Sequence, residues 1–379
     1  MKLIPYGRQY IDNEDIKSLS RSLKQNKITT GPKIKEFEKK INIYLKSKYS
    51  LVCNSGTSAI FLALRAIDLK KGDTIIMPSI NFISSYNVSK MLGARIYLAD
   101  VDPYTGQITP KTIEECCKKF NLKRVKAVIV MYNGGYPQNV EKFIKLKKKF
   151  NFKIIEDACH ALGAEYICKN KKLKVGSCKH SDVCTFSFHP LKTITTGEGG
   201  AVTTNSKKIY DKMEKIRSHG IKRQRDHWKY DIVDLGLNFR LTDIQCALGI
   251  SQLKKINNFL LKRKKISEIY EKKLRKLNSI KLIKKSKNYI SSNHLFLIHI
   301  KNFTQKKKEK LIKFMFKNNI ILQYHYIPIY KFKVYSGKNI RKNSETYFNN
   351  TVSLPIYYSL SVKEQNYIIK KIKSFFNKK

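Results

Sequence analysis

Two stretches decide the reading of this chain: Ile154-Ile155-Glu156-Asp157-Ala158, and Val183-Cys184-Thr185-Phe186-Ser187-Phe188-His189-Pro190-Leu191-Lys192, which runs on through TITTGEGG to Ala201-Val202-Thr203-Thr204. Each opens on a short, nearly continuous apolar run and ends on residues able to do chemistry. Runs of that length without polar alternation predict strands buried on both faces, as in a parallel sheet covered by helices. Open α/β sheets place their ligands at the carboxyl ends of such strands. Asp157 and Lys192 stand just beyond two of them.

Working outward, Ser50 to Thr204 alternates SLVCNSG with TSAIFLALRAID, TIIMP with FISSYNVSKML, then ARIYLAD, KAVIVMY, FKIIED, DVCTFSF and GGAVTT. Strands separated by amphipathic segments predict a large α/β domain around a mostly parallel sheet. Before it, Asp12–Leu23 and Lys33–Leu45 read as helices, with Thr30-Gly31-Pro32 punctuating the gap. After it, Lys207–Ser218 and a long Leu241–Leu274 stretch have helical period. The last hundred residues hold LFLIHI, a helix near Gln305–Asn318, IILQYHY and a closing helix from Ser361. The expectation is two domains, residues 1–255 and a small C-terminal α+β domain over residues 256–379.

With 77 Lys+Arg against 28 Asp+Glu the chain carries a formal charge of +49, yet Arg supplies only 12 of those cations. Lys is spread from Lys2 to Lys379, and Arg is the side chain suited to bidentate phosphate and base contacts. The spread reads as a compositional habit, and no recognised DNA or RNA module is present. The eight Cys form no CxxC pair and no zinc spacing, so free thiols and no metal are expected. No stretch reaches the 18 or so apolar residues of a membrane span, and the N-terminal segment has no signal-like apolar core. These features predict a soluble, cytoplasmic protein without membrane insertion.

Lys192 follows a buried strand on a turn rich in Ser, Thr and Gly, where an amine can be presented to a carbonyl; a plain surface Lys before a Gly turn is the alternative. Asp157 could pair with a protonated pyridine nitrogen or cap the next helix. A Schiff-base Lys with such an Asp is the electronic pair that pyridoxal phosphate needs. Asn54-Ser55-Gly56-Thr57-Ser58, between strand and helix, offers backbone N–H groups and hydroxyls to a phosphate, although Ser and Thr also cap helices routinely. Phe82 could stack on an aromatic ring or simply fill core.

TTGPKIKEFE, CNSGTSAI, EDACHALGAEY, SFHPLKTITTGEGGAV, RSHGI, LGLNFRLTDIQCALG and SLPIYYSLS, in that order along essentially the whole chain, resemble the DegT/StrS family of nucleotide-sugar aminotransferases, which have the fold-type-I pyridoxal-phosphate transferase architecture. The resemblance implies pyridoxal 5′-phosphate as cofactor, with Lys192 as its covalent anchor and Asp157 on its ring nitrogen. It implies Gly56, Thr57 and Ser187 around the phosphate, Phe82 against the ring face and His160 beside the ring. Asn238 would reach the cofactor phosphate of a neighbouring subunit in a homodimer with shared active sites. PYGRQ, NKITTG, SSNHLF and QYHYIPIY are similar to the pseudaminic-acid-pathway branch, which moves an amino group, here expected from L-glutamate with 2-oxoglutarate as product, to C4 of a UDP-linked 4-keto-6-deoxy-N-acetylhexosamine. In that branch Tyr6, Asn26, Lys27, Ile28, Thr29, Gln323, Tyr324, His325 and Tyr326 would line the sugar-nucleotide pocket. Members with His in place of the anchoring Lys act as sugar dehydratases, so Lys192 favours amine transfer. The alternatives are another keto-sugar carried on GDP or dTDP, and a non-catalytic regulator of the same fold.

Overall fold

The computed structural model describes residues 2–226, 228–283, 286–335 and 340–377. Two helices, α1 (Asn13–Leu23) and α2 (Pro32–Leu45), come first. Asp12 caps α1 through the N–H groups of Glu14 and Asp15, and Pro32 opens α2 where no N–H is needed. The strand–helix alternation follows as β1 (Tyr49–Cys53), α3 (Gly56–Ala66), β2 (Thr74–Pro78), α4 (Ser84–Met91) and β3 (Arg95–Ala99). It continues as α5 (Pro110–Lys119), β4 (Ala127–Met131), α6 (Val140–Phe150) and β5 (Lys153–Asp157). A hairpin, β6 (Glu165–Cys168) and β7 (Lys171–Lys174), precedes β8 (Val183–Ser187), β9 (Gly200–Thr204) and α7 (Lys207–Arg217).

The large sheet has seven strands in the order β1-β9-β8-β5-β4-β2-β3. β9 runs against both of its neighbours, and the five strands from β8 to β3 are parallel. Ile75, Ile76, Met77, Val128, Ile129, Ile155 and Val183 are all buried, which is why their runs lack alternation: helices cover both faces. The carboxyl ends of β1, β2, β4, β5 and β8 therefore open on one edge, and the loops that carry the site leave from there.

A second hairpin, β10 (Ile221–Arg223) and β11 (Tyr230–Ile232), projects with exposed strands. Around it Trp228, Leu235 and Leu237 stand 65%, 81% and 54% exposed. The expected single helix from Leu241 to Leu274 is two, α8 (Asp243–Lys254) and α9 (Ile256–Leu274). Thr242, in a capping box with Gln245, starts the first. Lys255 tightens its last turn through N–H bonds to Gln252 O and Leu253 O. The Lys255 ammonium bridges Asp12 at 2.6 Å and Asp15 at 2.8 Å, tying this break to α1.

The C-terminal region adds β12 (Ile280–Leu282), β13 (Tyr289–Ile290), β14 (Phe296–Ile300), α10 (Gln305–Lys317), α11 (Lys342–Asn350), β15 (Thr351–Leu354) and α12 (Val362–Asn377). β12, β14 and β15 form an antiparallel sheet, while β13 joins the β6–β7 hairpin. Tyr270 of α9, Leu311 and Met315 of α10 and Ile368 of α12 share one core with Ile298 and Val352. IILQYHY is not a regular strand: Ile320 and Gln323 each make one isolated bridge, to Ile4 and Ser353. No helix among the described residues is long and apolar enough to cross a membrane.

Candidate active site

The strand ends converge on a cavity of about 400 Å³. Cys53 ends β1, and Ser55 then caps α3 by accepting the Ser58 N–H at 3.1 Å. The first N–H groups of α3 have no acceptor inside the helix, so Gly56 and Thr57, both on the cavity wall, present an anion cradle. Glycine is required at 56 by contact: a Cβ there would lie 2.8 Å from Ser187 Cβ at the end of β8. The close approach of α3 to β8 is what brings the cradle beside Ser187.

Asp157 is buried at the end of β5, with Oδ1 accepting the Cys159 N–H and Oδ2 accepting the Ser85 hydroxyl, each at 3.3 Å. Lys192 lies on the β8–β9 connection, its N–H bonded to His189 O at 2.9 Å. Burial holds the Lys192 ammonium below its ordinary pKa, against the opposite pull of Cys159 and Asp157. A lysine so placed releases its proton more readily and becomes a nucleophile and base.

The opposite wall joins residues that follow β4 and β5 to residues from elsewhere in the chain. His160 is 1% exposed; its Nδ1 accepts the Gly134 N–H at 3.3 Å and its Nε2 lies 2.9 Å from the Tyr326 hydroxyl. The Gly134–Gly135 turn allows this, because a Cβ on Gly135 would sit 1.9 Å from Ser292 Oγ and 2.6 Å from His160 O. His294 packs on His160 with ring centroids 4.3 Å apart. Its Nδ1 is buried without a partner among the described residues. His325 bonds Ser353 Oγ through Nδ1 at 2.8 Å. Burial first, and then the charge of Lys192, holds all three imidazoles below their ordinary pKa, His325 at about 3. Burial pushes the Tyr326 phenol well above its own, with Asp157 and Cys159 adding to the effect.

Of the residues singled out by sequence, Tyr6, Gly56, Thr57, Phe82, Asp157, His160, Ser187, Lys192, His325 and Tyr326 all line this one cavity. The others lie apart from it. Asn26, Lys27, Ile28 and Thr29 form an exposed loop whose Ile28 carbonyl accepts the Asp243 N–H at 3.0 Å. Gln323 is paired through its backbone with Ser353, and Tyr324 packs edge-on to Phe348 at 5.5 Å. Asn238 is exposed beside the projecting hairpin, its Oδ1 accepting the Arg240 N–H at 3.3 Å. Thr242, not Asn238, caps the helix that follows.

Sequence reasoning passed over Cys159, His189 and His294, which also line the cavity. The signal for His294 was its place in SSNHLF. Ser292 Oγ donates to His160 O at 2.7 Å and Ser291 Oγ to Gly135 O at 2.9 Å, so the two serines fasten β14 to the site.

Residues 9–373 match the DegT/DnrJ/EryC1/StrS aminotransferase family. The chain is 36% identical to the UDP-4-amino-4,6-dideoxy-N-acetyl-beta-L-altrosamine transaminase of Campylobacter jejuni subsp. jejuni serotype O:23/36 (strain 81-176), covering 97% of this chain and 96% of that one. It is 30% identical to the GDP-perosamine synthase of Escherichia coli O157:H7 over the full length of both. Among solved structures it is similar to Helicobacter pylori PseC, an aminotransferase involved in the biosynthesis of pseudoaminic acid, at TM-score 0.91 and 31% identity with 99% of each chain covered. The PLP-form of the sugar aminotransferase Spr1654 from Streptococcus pneumoniae superimposes at TM-score 0.91 with 26% identity, again covering 99% of each chain. With its cavity built from the strand ends, Lys192 and Asp157, the chain belongs to the DegT/DnrJ/EryC1/StrS aminotransferase family.

Proposed function

We propose that this protein is a pyridoxal-phosphate-dependent aminotransferase that moves an amino group from L-glutamate to C4 of a UDP-linked 4-keto-6-deoxy-N-acetylhexosamine, in the making of a nonulosonic (pseudaminic) acid precursor in the cytoplasm. The observation that carries it is the convergence of Lys192, Asp157 and the Gly56 cradle on one cavity. The substrate follows the full-length similarity to the altrosamine transaminases.

The residues fit the cofactor by their own chemistry. The amino end of α3, with Gly56, Thr57 and Ser187, would hold the phosphate, Asp157 the ring nitrogen, Phe82 a ring face and Lys192 the aldehyde carbon. When bound, pyridoxal phosphate supplies an electron sink for the bond at the amino carbon. With the donor amino acid bound, Lys192 Nζ would be the base that takes the proton from its Cα. In the second half of the cycle the same Nζ delivers a proton to C4 of the sugar. Asp157, buried and held by Ser85 and the Cys159 N–H, would be the partner of the ring nitrogen. Tyr6, His325 and Tyr326 close the far wall and exclude water.

The active site is completed in a homodimer, with Asn238 reaching the partner's cofactor phosphate. The apolar surface at Trp228, Leu235 and Leu237 beside it supports this reading.

The test is the absorbance of the purified holoprotein, recorded as L-glutamate and then the keto-sugar are added. A change with glutamate that the UDP-sugar reverses is expected. Reversal only by a GDP- or dTDP-linked keto-sugar would move the substrate to those nucleotides, and no change with glutamate would defeat the aminotransferase reading.

A further inference from the structure

The far wall holds a hydrogen-bond chain whose direction can be worked out. Gly134 N–H can only donate, and it points at His160 Nδ1 from 3.3 Å, so that nitrogen carries a lone pair. A neutral imidazole with Nδ1 as acceptor has its proton on Nε2, and Nε2 lies 2.9 Å from Tyr326 Oη. The reverse assignment would set two N–H groups against each other in a buried site. His160 therefore donates to the phenol oxygen, and the phenol proton must go elsewhere. Among the described residues the Tyr326 hydroxyl has no other partner, and Tyr326 lines the cavity beside Phe82, their ring centroids 5.8 Å apart. His294 packs against His160 with ring centroids 4.3 Å apart and the rings tilted by 34°.

We propose that Tyr326, aligned by His160 and the Gly134 N–H, is a one-directional hydrogen-bond donor to an oxygen acceptor of the ligand beside Lys192, either the ring oxygen of the cofactor or the keto oxygen of the sugar. The proposal rests on the aminotransferase reading for what fills the cavity. A phenol whose oxygen already accepts a hydrogen bond is a stronger donor. It selects an acceptor that carries no proton of its own at that point.

Nitrogen NMR of the wild-type holoprotein, with the His160 signals assigned by comparison with His160→Gln, reads the first half of the chain without any turnover. Protonated Nε2 and bare Nδ1 are expected, and a proton on Nδ1 would overturn the proposal. The second half uses Tyr326→Phe in two arms. A shift of about one pH unit in the pH titration of bound cofactor absorbance, with no sugar present, identifies the ring oxygen. In the pyridoxamine-phosphate form, calorimetric affinity for the UDP-linked keto-sugar falling about tenfold while that for UDP stays level identifies the keto oxygen. No change in either arm overturns the donor role. His160→Phe should reproduce part of whichever loss is seen. Wild-type protein that binds the cofactor and ignores the keto-sugar would overturn the substrate reading, while the NMR and the cofactor arm still decide the donor.

Discussion

The two walls of the cavity are built in different ways. Asp157, Ser187 and the Gly56 turn follow directly from the ends of neighbouring strands, so their positions are set by sheet hydrogen bonds that fix register residue by residue. Tyr6, His294, His325 and Tyr326 come from segments without regular pairing, brought in from both ends of the chain. The strand wall carries the residues proposed to hold the cofactor; the far wall includes loop segments that no ladder constrains. A fold of this kind separates chemistry from selection by giving each its own construction.

The largest effects should fall on the strand wall. Lys192→Ala should lower turnover by roughly 10⁴-fold and remove the absorbance of covalently held cofactor, since it would take away both the proposed anchor and the proposed base. A variant within tenfold of wild type would erase the contrast between the walls. Asp157→Asn should retain cofactor while slowing turnover by roughly 10²-fold or more, read in single-turnover kinetics with glutamate. Next comes Gly56→Ala, whose Cβ must push Ser187 away from 2.8 Å. About tenfold weaker cofactor binding, with thermal stability little changed, is expected from fluorescence titration.

The far wall should show itself in acid. His160, His294 and His325 are held neutral in the fold, whereas the unfolded chain protonates its histidines below about pH 6.5. Their contribution to stability is complete above that pH and is lost as pH falls toward the depressed native values. Each adds up to about 1.4 kcal/mol per pH unit to the slope. Denaturant melts between pH 6.5 and 4.5 should therefore be shallower in pH dependence for His294→Phe, by the share of one proton. An unchanged slope would mean that His294 titrates in the native protein. Smallest of all, Tyr324→Phe should leave KM for the sugar within about twofold, as its ring packs on Phe348 outside the cavity. A larger change would bring the 323–326 segment as a whole into the sugar site.

The same division explains what could be read without a structure. The alternation from β1 to β9 and the motifs at strand ends were legible because period, burial and turn chemistry are local. Asp157 and Lys192 could be paired on paper since β5 and β8 are neighbours of the same type. The break at Lys255 was hidden: α8 and α9 are both helical in period, and what parts them is an ion pair with α1, far away in sequence. His294 stands in SSNHLF with nothing local to give it a task, because its value depends on Gly134 and His160, which follow β4 and β5 of the large sheet. The IILQYHY run has the composition of a strand, but its pairing is limited to isolated bridges, to Ile4 and to Ser353 of β15.

The antiparallel strand β9 has a consequence for how the chain acquires its site. β8 and β9 are successive strands, so their pairing closes a short loop and can form early, with the lysine already on the connection between them. β1 docks on the other side of β9, Tyr49 against Thr204, and only then is α3 carried next to Ser187. On a ribosome, the amine would be framed before the phosphate cradle, and the cradle could not close until Thr204 had emerged. Cofactor capture therefore waits until the earliest strand made, β1, is joined to β9.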